Sequence, residues 1–140
     1  MIYADTSALV PAFIREPRSD AVLAWLESSG ERLVVSEWAI TEFASAASIK
    51  VRTGQIGGAI ARQAMTRFHD FAQEHCSIAA QQRADFRRAA ALSGQVALKL
   101  RAGDALHLAI AEASNVQGVL CLDETMIDGA RAIGMRVVTL

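Results

Sequence analysis

The sequence predicts an α/β fold in which a parallel β-sheet is covered by helices on both faces. The main observation is that short apolar runs alternate along the chain with longer segments of helical periodicity. A second observation is composition, because the chain has 27 alanines but only 6% aromatic residues, which favours helices packed closely on a flat surface. At 140 residues the chain can bury a core, and we expect a single domain over 1–140.

Five short apolar runs are the expected strands, and acids follow three of them. The acids are Asp5, Glu37 and Asp123, each within a residue or so of the end of its run. The runs cover residues 1–4, 32–36, 76–80, 118–122 and 136–140.

Six segments between these runs have helical patterns, and glycine-containing stretches such as "ESSG" and "TGQIGG" separate them. The expected helices cover roughly residues 19–28, 37–52, 55–74, 82–101, 104–114 and 124–133.

Charge and cysteine content exclude several classes of protein. The net charge is −1, so contact with nucleic acid would depend on local basic patches. The two cysteines form no CxxC pair and no Cys/His cluster, which argues against a zinc site or a disulfide framework and fits a reducing compartment. The chain also lacks a signal-peptide pattern and an apolar run of the roughly 18 residues that a membrane span needs. We therefore expect a soluble cytoplasmic protein without a membrane partner.

Four carboxylates are candidates for one site: Asp5, Glu42, Asp104 and Asp123. Asp5 and Asp123 each end an apolar strand, and the carboxyl ends of parallel strands share one edge of the sheet. Asp104 opens the helix "DALHLAIAEA", whose positive dipole end can face the same edge. Glu42 lies about a turn and a half into the helix after the second strand.

Carboxylates held close together repel one another unless they keep protons or a cation neutralises them. An all-oxygen set points to a hard ion such as Mg²⁺ or Mn²⁺, which can activate water and stabilise charge on a phosphoryl group. Metal-assisted phosphodiester hydrolysis is the predicted chemistry. Each acid also has an ordinary explanation: Asp5 as a cap of a helix beginning near Ser7, Asp104 as a first-turn acid, Asp123 as a turn residue and Glu42 as a surface acid.

Four stretches together resemble the PIN-domain family, in particular the VapC-type ribonuclease toxins of toxin–antitoxin pairs. They are "MIYADTSAL" at the start, "VVSEWAITEFASA" at 34–46, "LRAGDALHLAIA" at 100–111 and "VLCLDETMIDGARAIGM" at 119–135. The resemblance implies a five-stranded parallel sheet between helices, with an acidic cluster at the carboxyl ends of the strands.

The resemblance also implies what the four acids do. Asp5, Glu42, Asp104 and Asp123 would hold Mg²⁺ or Mn²⁺, and a metal-activated water would cleave an RNA substrate. A short antitoxin would bind and block the toxin, and the toxin would be a homodimer.

One residue departs from the family pattern. Family members often have Ser or Thr two residues before the last acid, and this chain has Cys121, a weaker hydrogen-bonding partner for a carboxylate. The departure supports an alternative, a catalytically inactive PIN-like module that binds RNA or a partner without cutting. A DNA-directed nuclease is a further option. Thr6 and Ser7 are candidate hydroxyls supporting the acids.

Residues beside Asp104 could take part in the site. Lys99 and Arg101 precede it and are the candidate RNA-phosphate contacts. His107 follows one turn later and could tune the site, although a buried structural histidine is the favoured interpretation. For Trp38 we favour packing over stacking on an RNA base.

Overall fold

Five short strands form one sheet in the computed structural model, which describes all 140 residues. The strand order is β3-β2-β1-β4-β5 and every neighbouring pair is parallel. The predicted α/β class with a five-stranded parallel sheet is therefore confirmed. The strands are Ile2–Ala4 (β1), Leu33–Ser36 (β2), Cys76–Ala79 (β3), Gly118–Leu120 (β4) and Val137–Val138 (β5).

Seven helices cover the two faces of the sheet. Helices α1, α3 and α4 bury their apolar sides on one face, and α5, α6 and α7 bury theirs on the other. No helix has the length and apolar character needed to cross a bilayer. The helices are Thr6–Phe13 (α1), Ser19–Ser28 (α2), Glu37–Arg52 (α3), Gly58–His75 (α4), Arg83–Ser93 (α5), Ala102–Ala113 (α6) and Glu124–Ala132 (α7).

The central strand shows why the sheet is buried on both sides. Successive side chains of a strand point to opposite faces, so Ile2 packs in the core with Phe43 and Phe68 while Tyr3 packs in the other core with Leu108. Both faces need apolar residues, which explains the nearly continuous apolar runs.

The strand order places β1 beside β4 at a topological switch point. From β1 the chain builds outward through β2 and β3 on one side, and β4 and β5 lie on the other. In open parallel sheets a crevice forms at such a point, outside the carboxyl ends of the strands. Asp5 and Asp123 follow these two strands and therefore lie at this crevice.

Helix α1 was not among the six predicted helices. It begins directly after Asp5, covers eight residues and contains Pro11. A proline inside a helix removes a backbone hydrogen bond, so the sequence pattern reads as a break although the fold keeps a short helix there.

The predicted helix over 82–101 is wrong in its second half. Helix α5 ends at Ser93, and a 3₁₀ turn follows at Val96–Leu98. Gly94 follows the last helical residue and Lys99 adopts a left-handed conformation with φ of 56°, and neither continues a helix well. Lys99 and Arg101 consequently lie on a connection that leads into α6.

Candidate active site

The carboxylates of Asp5 and Asp123 each cap a helix with one oxygen. Asp5 Oδ1 accepts hydrogen bonds from the Ala8 backbone N–H at 3.3 Å and from Ser7 Oγ at 2.7 Å. Asp123 Oδ1 accepts from the Met126 backbone N–H at 2.9 Å. The capping interpretation therefore describes both residues, but it occupies only one oxygen of each. Capping orients these carboxylates at the crevice and leaves Oδ2 for other partners.

Ser7 joins the ends of β1 and β4. Its hydroxyl donates to Asp5 and accepts from the backbone N–H groups of Leu122, at 2.7 Å, and Asp123, at 3.2 Å. Two acids that are far apart in the chain are thereby held in a fixed relation by one side chain.

The thiol of Cys121 touches no carboxylate. Its Sγ lies 3.7 Å from Ser7 Oγ and 3.5 Å from the backbone oxygen of Asp123. Burial, together with the nearby charge of Asp5, raises the pKa of this thiol well above its usual range, so it is neutral. Hydrogen bonding at this end of β4 comes from Ser7.

Glu42 projects from α3 and is held by two donors. Its Oε2 accepts hydrogen bonds from Thr6 Oγ1 at 2.8 Å and from His107 Nε2 at 2.7 Å. His107 is only 2% exposed, and its Nδ1 lies 2.7 Å from the Tyr3 hydroxyl, which is 2.8 Å from Ser36 Oγ.

His107 is thus both a buried histidine and a direct partner of Glu42. The favoured sequence interpretation captured its burial but not its contact. The sequence feature that could have indicated this contact is the position of His107 one turn after Asp104 in "DALH". Both residues lie in α6, whose residues Ala105–Ala111 are all buried.

The pKa values of Asp5 and Glu42 are shifted in opposite directions by their surroundings. Burial raises the pKa of Asp5, although the charge of His107 and the Ser7 hydroxyl oppose the change. Burial also disfavours ionisation of Glu42, but the hydrogen bond and charge of His107, with the Thr6 hydroxyl, outweigh it and lower the pKa of Glu42. Glu42 is therefore a stable carboxylate, whereas an ionised Asp5 gains from a neighbouring cation.

Asp104 and Asp123 share one arginine. Arg101 Nε lies 3.2 Å from Asp104 Oδ2, and its Nη2 lies 3.4 Å from Asp123 Oδ2. The side chains of Asp104 and Asp123 are 16% and 31% exposed, and that of Arg101 is 76% exposed. Lys99, the other predicted phosphate contact, is exposed and makes no ion pair.

Gly103 brings Glu42 against the start of α6. A Cβ atom at Gly103 would lie 2.8 Å from Glu42 Oε1, too close for ordinary packing, and 3.8 Å from Trp38 Nε1. Trp38 is half-buried, as expected for packing; its buried indole N–H makes no hydrogen bond of ordinary length and angle, but it lies close enough to Glu42 to help lower the pKa of that carboxyl. Because Gly103 precedes Asp104, this approach completes a chain of contacts that joins all four acids at one edge of the sheet. We call this edge the acid rim.

The family of the chain follows from comparison with known proteins. A family model described as PIN domain matches residues 2–131. The chain belongs to the PIN-domain family. It is 36% identical over 139 residues to Ribonuclease VapC46 of Mycobacterium tuberculosis, an alignment that covers 98% of this chain and 95% of that protein. The predicted family is therefore confirmed.

Two solved structures share the PIN fold of this chain. Mycobacterium tuberculosis VapC20, described as a Sarcin-Ricin loop cleaving toxin, superposes with a TM-score of 0.74 and 14% identity, covering 97% of each chain. FitAcB from Neisseria gonorrhoeae superposes with a TM-score of 0.66 and 16% identity, covering 99% of this chain and 97% of that one. At these identities the likeness establishes the fold.

The acid rim of this PIN domain fits a hard divalent cation in its chemistry. Asp5 Oδ2, Glu42 Oε1 and Asp104 Oδ1 accept no hydrogen bond of ordinary length and angle from the protein, and carboxylate oxygens are the ligands that Mg²⁺ and Mn²⁺ prefer. No three Asp, Glu, His or Cys side chains are already arranged to hold a metal ion. In this arrangement the positive charge between Asp104 and Asp123 comes from Arg101.

Proposed function

We propose that this protein is a VapC-type endoribonuclease, dependent on Mg²⁺ or Mn²⁺, whose active site is the acid rim. The observation that carries the proposal is the convergence of Asp5, Glu42, Asp104 and Asp123, which come from four separate segments and are linked at one edge of the sheet through Thr6, Ser7, Arg101 and Gly103. Identity of 36% to a ribonuclease over nearly the whole chain supports RNA as the substrate.

The side chains of the rim supply preorganised negative charge. Ser7 holds the carboxylate of Asp5 and the backbone of Asp123, and Thr6 and His107 hold Glu42. A metal ion bound by these acids would stabilise charge on the scissile phosphoryl group and lower the pKa of a water molecule. Because these hydrogen bonds hold Asp5 and Glu42 before the substrate arrives, these two carboxylates need little reorganisation during the reaction.

The partners follow from the family and from the relative. We propose that a short antitoxin protein binds and blocks the toxin, that the toxin is a homodimer and that it acts on RNA in the cytoplasm. Both cysteines are free, which is compatible with a reducing compartment. Cys121 was the only sequence feature that favoured an inactive module; its thiol makes no hydrogen bond to a carboxylate, and Ser7 supplies the hydrogen bonds at this end of β4, which leaves that alternative without support.

RNA cleavage with and without metal tests the proposal. Purified protein is incubated with total cellular RNA in Mg²⁺ or in chelator, and Asp104→Asn is compared with Asp128→Asn, a matched change at a side chain that is 80% exposed. We expect fragments only with metal, a loss of at least about 100-fold for Asp104→Asn and none for Asp128→Asn. Equal cleavage in chelator, or by folded Asp104→Asn, would contradict the proposal.

A further inference from the structure

We propose that Arg101 is a built-in counter-ion of the metal-free acid rim. Its guanidinium occupies the space between Asp104 and Asp123, is displaced when a divalent ion binds, and then binds a phosphate of the RNA. This inference rests on the proposed metal-dependent function of the rim.

The geometry is that of one cation between two carboxylates. The Nε and Nη2 atoms of Arg101 lie near Oδ2 of Asp104, inside α6, and Oδ2 of Asp123, which caps α7. A planar guanidinium with several fixed donors is suited to such a bridge, whereas an ammonium group is a point charge. The bridge neutralises repulsion between two acids that would otherwise face each other uncompensated.

The other two acids of the rim have hydrogen-bond donors other than Arg101, although the charge of Glu42 also acts weakly on Arg101. Asp5 is stabilised by Ser7 and a helix N–H, and Glu42 by the buried side chains of Thr6 and His107. The negative charge of Asp5 and Glu42 is therefore stabilised by hydrogen-bond donors of the surrounding fold. The charge of Asp104 and Asp123 is compensated by one exposed side chain, that of Arg101. Arg101 is the charge that can move without disturbing the core.

The exposure of Arg101 makes its displacement feasible. Its side chain is 76% exposed, and ion pairs this exposed are weak and screened by salt. A divalent ion carries twice the charge and accepts the same carboxylate oxygens as ligands. The backbone of Arg101 is fixed at the N-terminal end of α6, so the released side chain stays within its own length of the rim, where an RNA phosphate would bind.

The first test measures Mn²⁺ affinity without RNA, by electron paramagnetic resonance of the free ion. Arg101→Gln is compared with wild type and with Arg87→Gln, a matched change at an exposed arginine of α5 that makes no ion pair. We expect Arg101→Gln to bind Mn²⁺ roughly fivefold more tightly at low salt, with a smaller gain at high salt. Arg87→Gln should match wild type.

The second test measures kcat/KM on a single-stranded oligoribonucleotide at saturating Mn²⁺, so that metal affinity no longer limits the rate. Loss of a phosphate contact in Arg101→Gln should lower kcat/KM roughly tenfold and make the slope of log(kcat/KM) against log[salt] shallower by about 0.7. Arg101→Gln should thus raise the affinity for Mn²⁺ and lower kcat/KM on RNA. A purely structural ion pair would not produce these two opposite effects.

Each outcome decides one part of the proposal. Unchanged or weaker Mn²⁺ binding by Arg101→Gln overturns the counter-ion role, and unchanged kcat/KM at saturating Mn²⁺ overturns the phosphate role. Absence of Mn²⁺ binding and metal-dependent cleavage in wild type would instead reject the proposed function itself. If Arg101→Gln fails to fold, Arg101→Met serves, because it removes the charge and keeps an unbranched aliphatic side chain; Mn²⁺ binding no tighter than wild type would then overturn the proposal.

Discussion

The two carboxylate oxygens of Asp5, Asp123 and Glu42 have different contacts. In Asp5 and Asp123, Oδ1 caps a helix, whereas Oδ2 takes no part in capping and in Asp123 lies 3.4 Å from Arg101 Nη2. Helix capping, which at the level of sequence is an alternative to site formation, therefore describes both residues and still leaves an oxygen of each for the proposed metal site. Glu42 is similar, since Oε2 is held by Thr6 and His107 while Oε1 lies against Gly103.

Gly103→Ala is predicted to displace Glu42 without destabilising the fold. The added Cβ would lie 2.8 Å from Glu42 Oε1, and errors of about 1 Å in such groups can cost on the order of 100-fold in rate. Alanine is preferred to glycine inside a helix by about 0.5–1 kcal/mol. We therefore expect at least about tenfold weaker Mn²⁺ binding and cleavage, with a melting temperature equal to or above that of wild type.

The control for this prediction is Gly58→Ala, at the first residue of α4. A Cβ at Gly58 meets only the mobile end of Arg62, at 3.4 Å. Gly58→Ala should therefore leave Mn²⁺ affinity unchanged. Wild-type Mn²⁺ affinity in Gly103→Ala would show that Glu42 tolerates the new methyl group and that the close approach has no role.

Among the elements, the junctions β1–α1 and β4–α7 position the rim. Each junction has an acid between strand and helix, and Ser7 bonds across from one junction to the other. The sequence predicted the strands and α7 from local patterns. The six predicted helices omitted α1, which contains Pro11, although the capping interpretation of Asp5 already required a helix beginning near Ser7; they also missed the end of α5 at Ser93, where a 3₁₀ turn follows.

Ser7→Ala is predicted to loosen both junctions. The substitution removes the acceptor of two backbone N–H groups and the donor to Asp5, and an unsatisfied buried group costs about 1–3 kcal/mol. We expect the free energy of unfolding, measured in urea, to fall by about that amount, with reduced cleavage. Ser28→Ala removes an exposed hydroxyl that bonds within α2 and should change stability by less than about 0.5 kcal/mol. Equal effects of the two changes would contradict the bridging role of Ser7.

For the whole molecule, the strand order decides where the rim forms. Because β1 lies between β2 and β4, Asp5 and Asp123 end neighbouring strands, and helices from both faces of the sheet meet there. The fold thus concentrates negative charge at one edge, and the stability of the metal-free protein should depend on how that charge is compensated.

The pH dependence of stability is predicted to reveal the burial of Asp5. Since burial raises its pKa in the folded state, the stability linked to Asp5 is complete below its unfolded pKa of about 4 and is lost as pH rises through the folded value. The melting temperature of Asp5→Asn minus that of wild type should therefore increase between about pH 4 and pH 7 in chelator.

Saturating Mg²⁺ should reduce this difference at neutral pH, because a ligand that binds only the folded wild type stabilises it. Asp128→Asn, at an exposed position of α7, should give a difference from wild type that does not vary with pH. A pH-independent difference for Asp5→Asn would mean that Asp5 is not destabilised by burial in the folded protein.

The sequence by itself determined the fold class, the family and the candidate acids, because strand and helix periodicity and an acid after a strand are local patterns. The assignment of the four acids as metal ligands stays a prediction. Only the tertiary structure decided how these acids are held: Glu42 and His107 are 65 residues apart, Ser7 and Leu122 are 115 apart, and Arg101 and Asp123 are 22 apart. Such pairs meet because of strand order and helix packing, which no local pattern encodes.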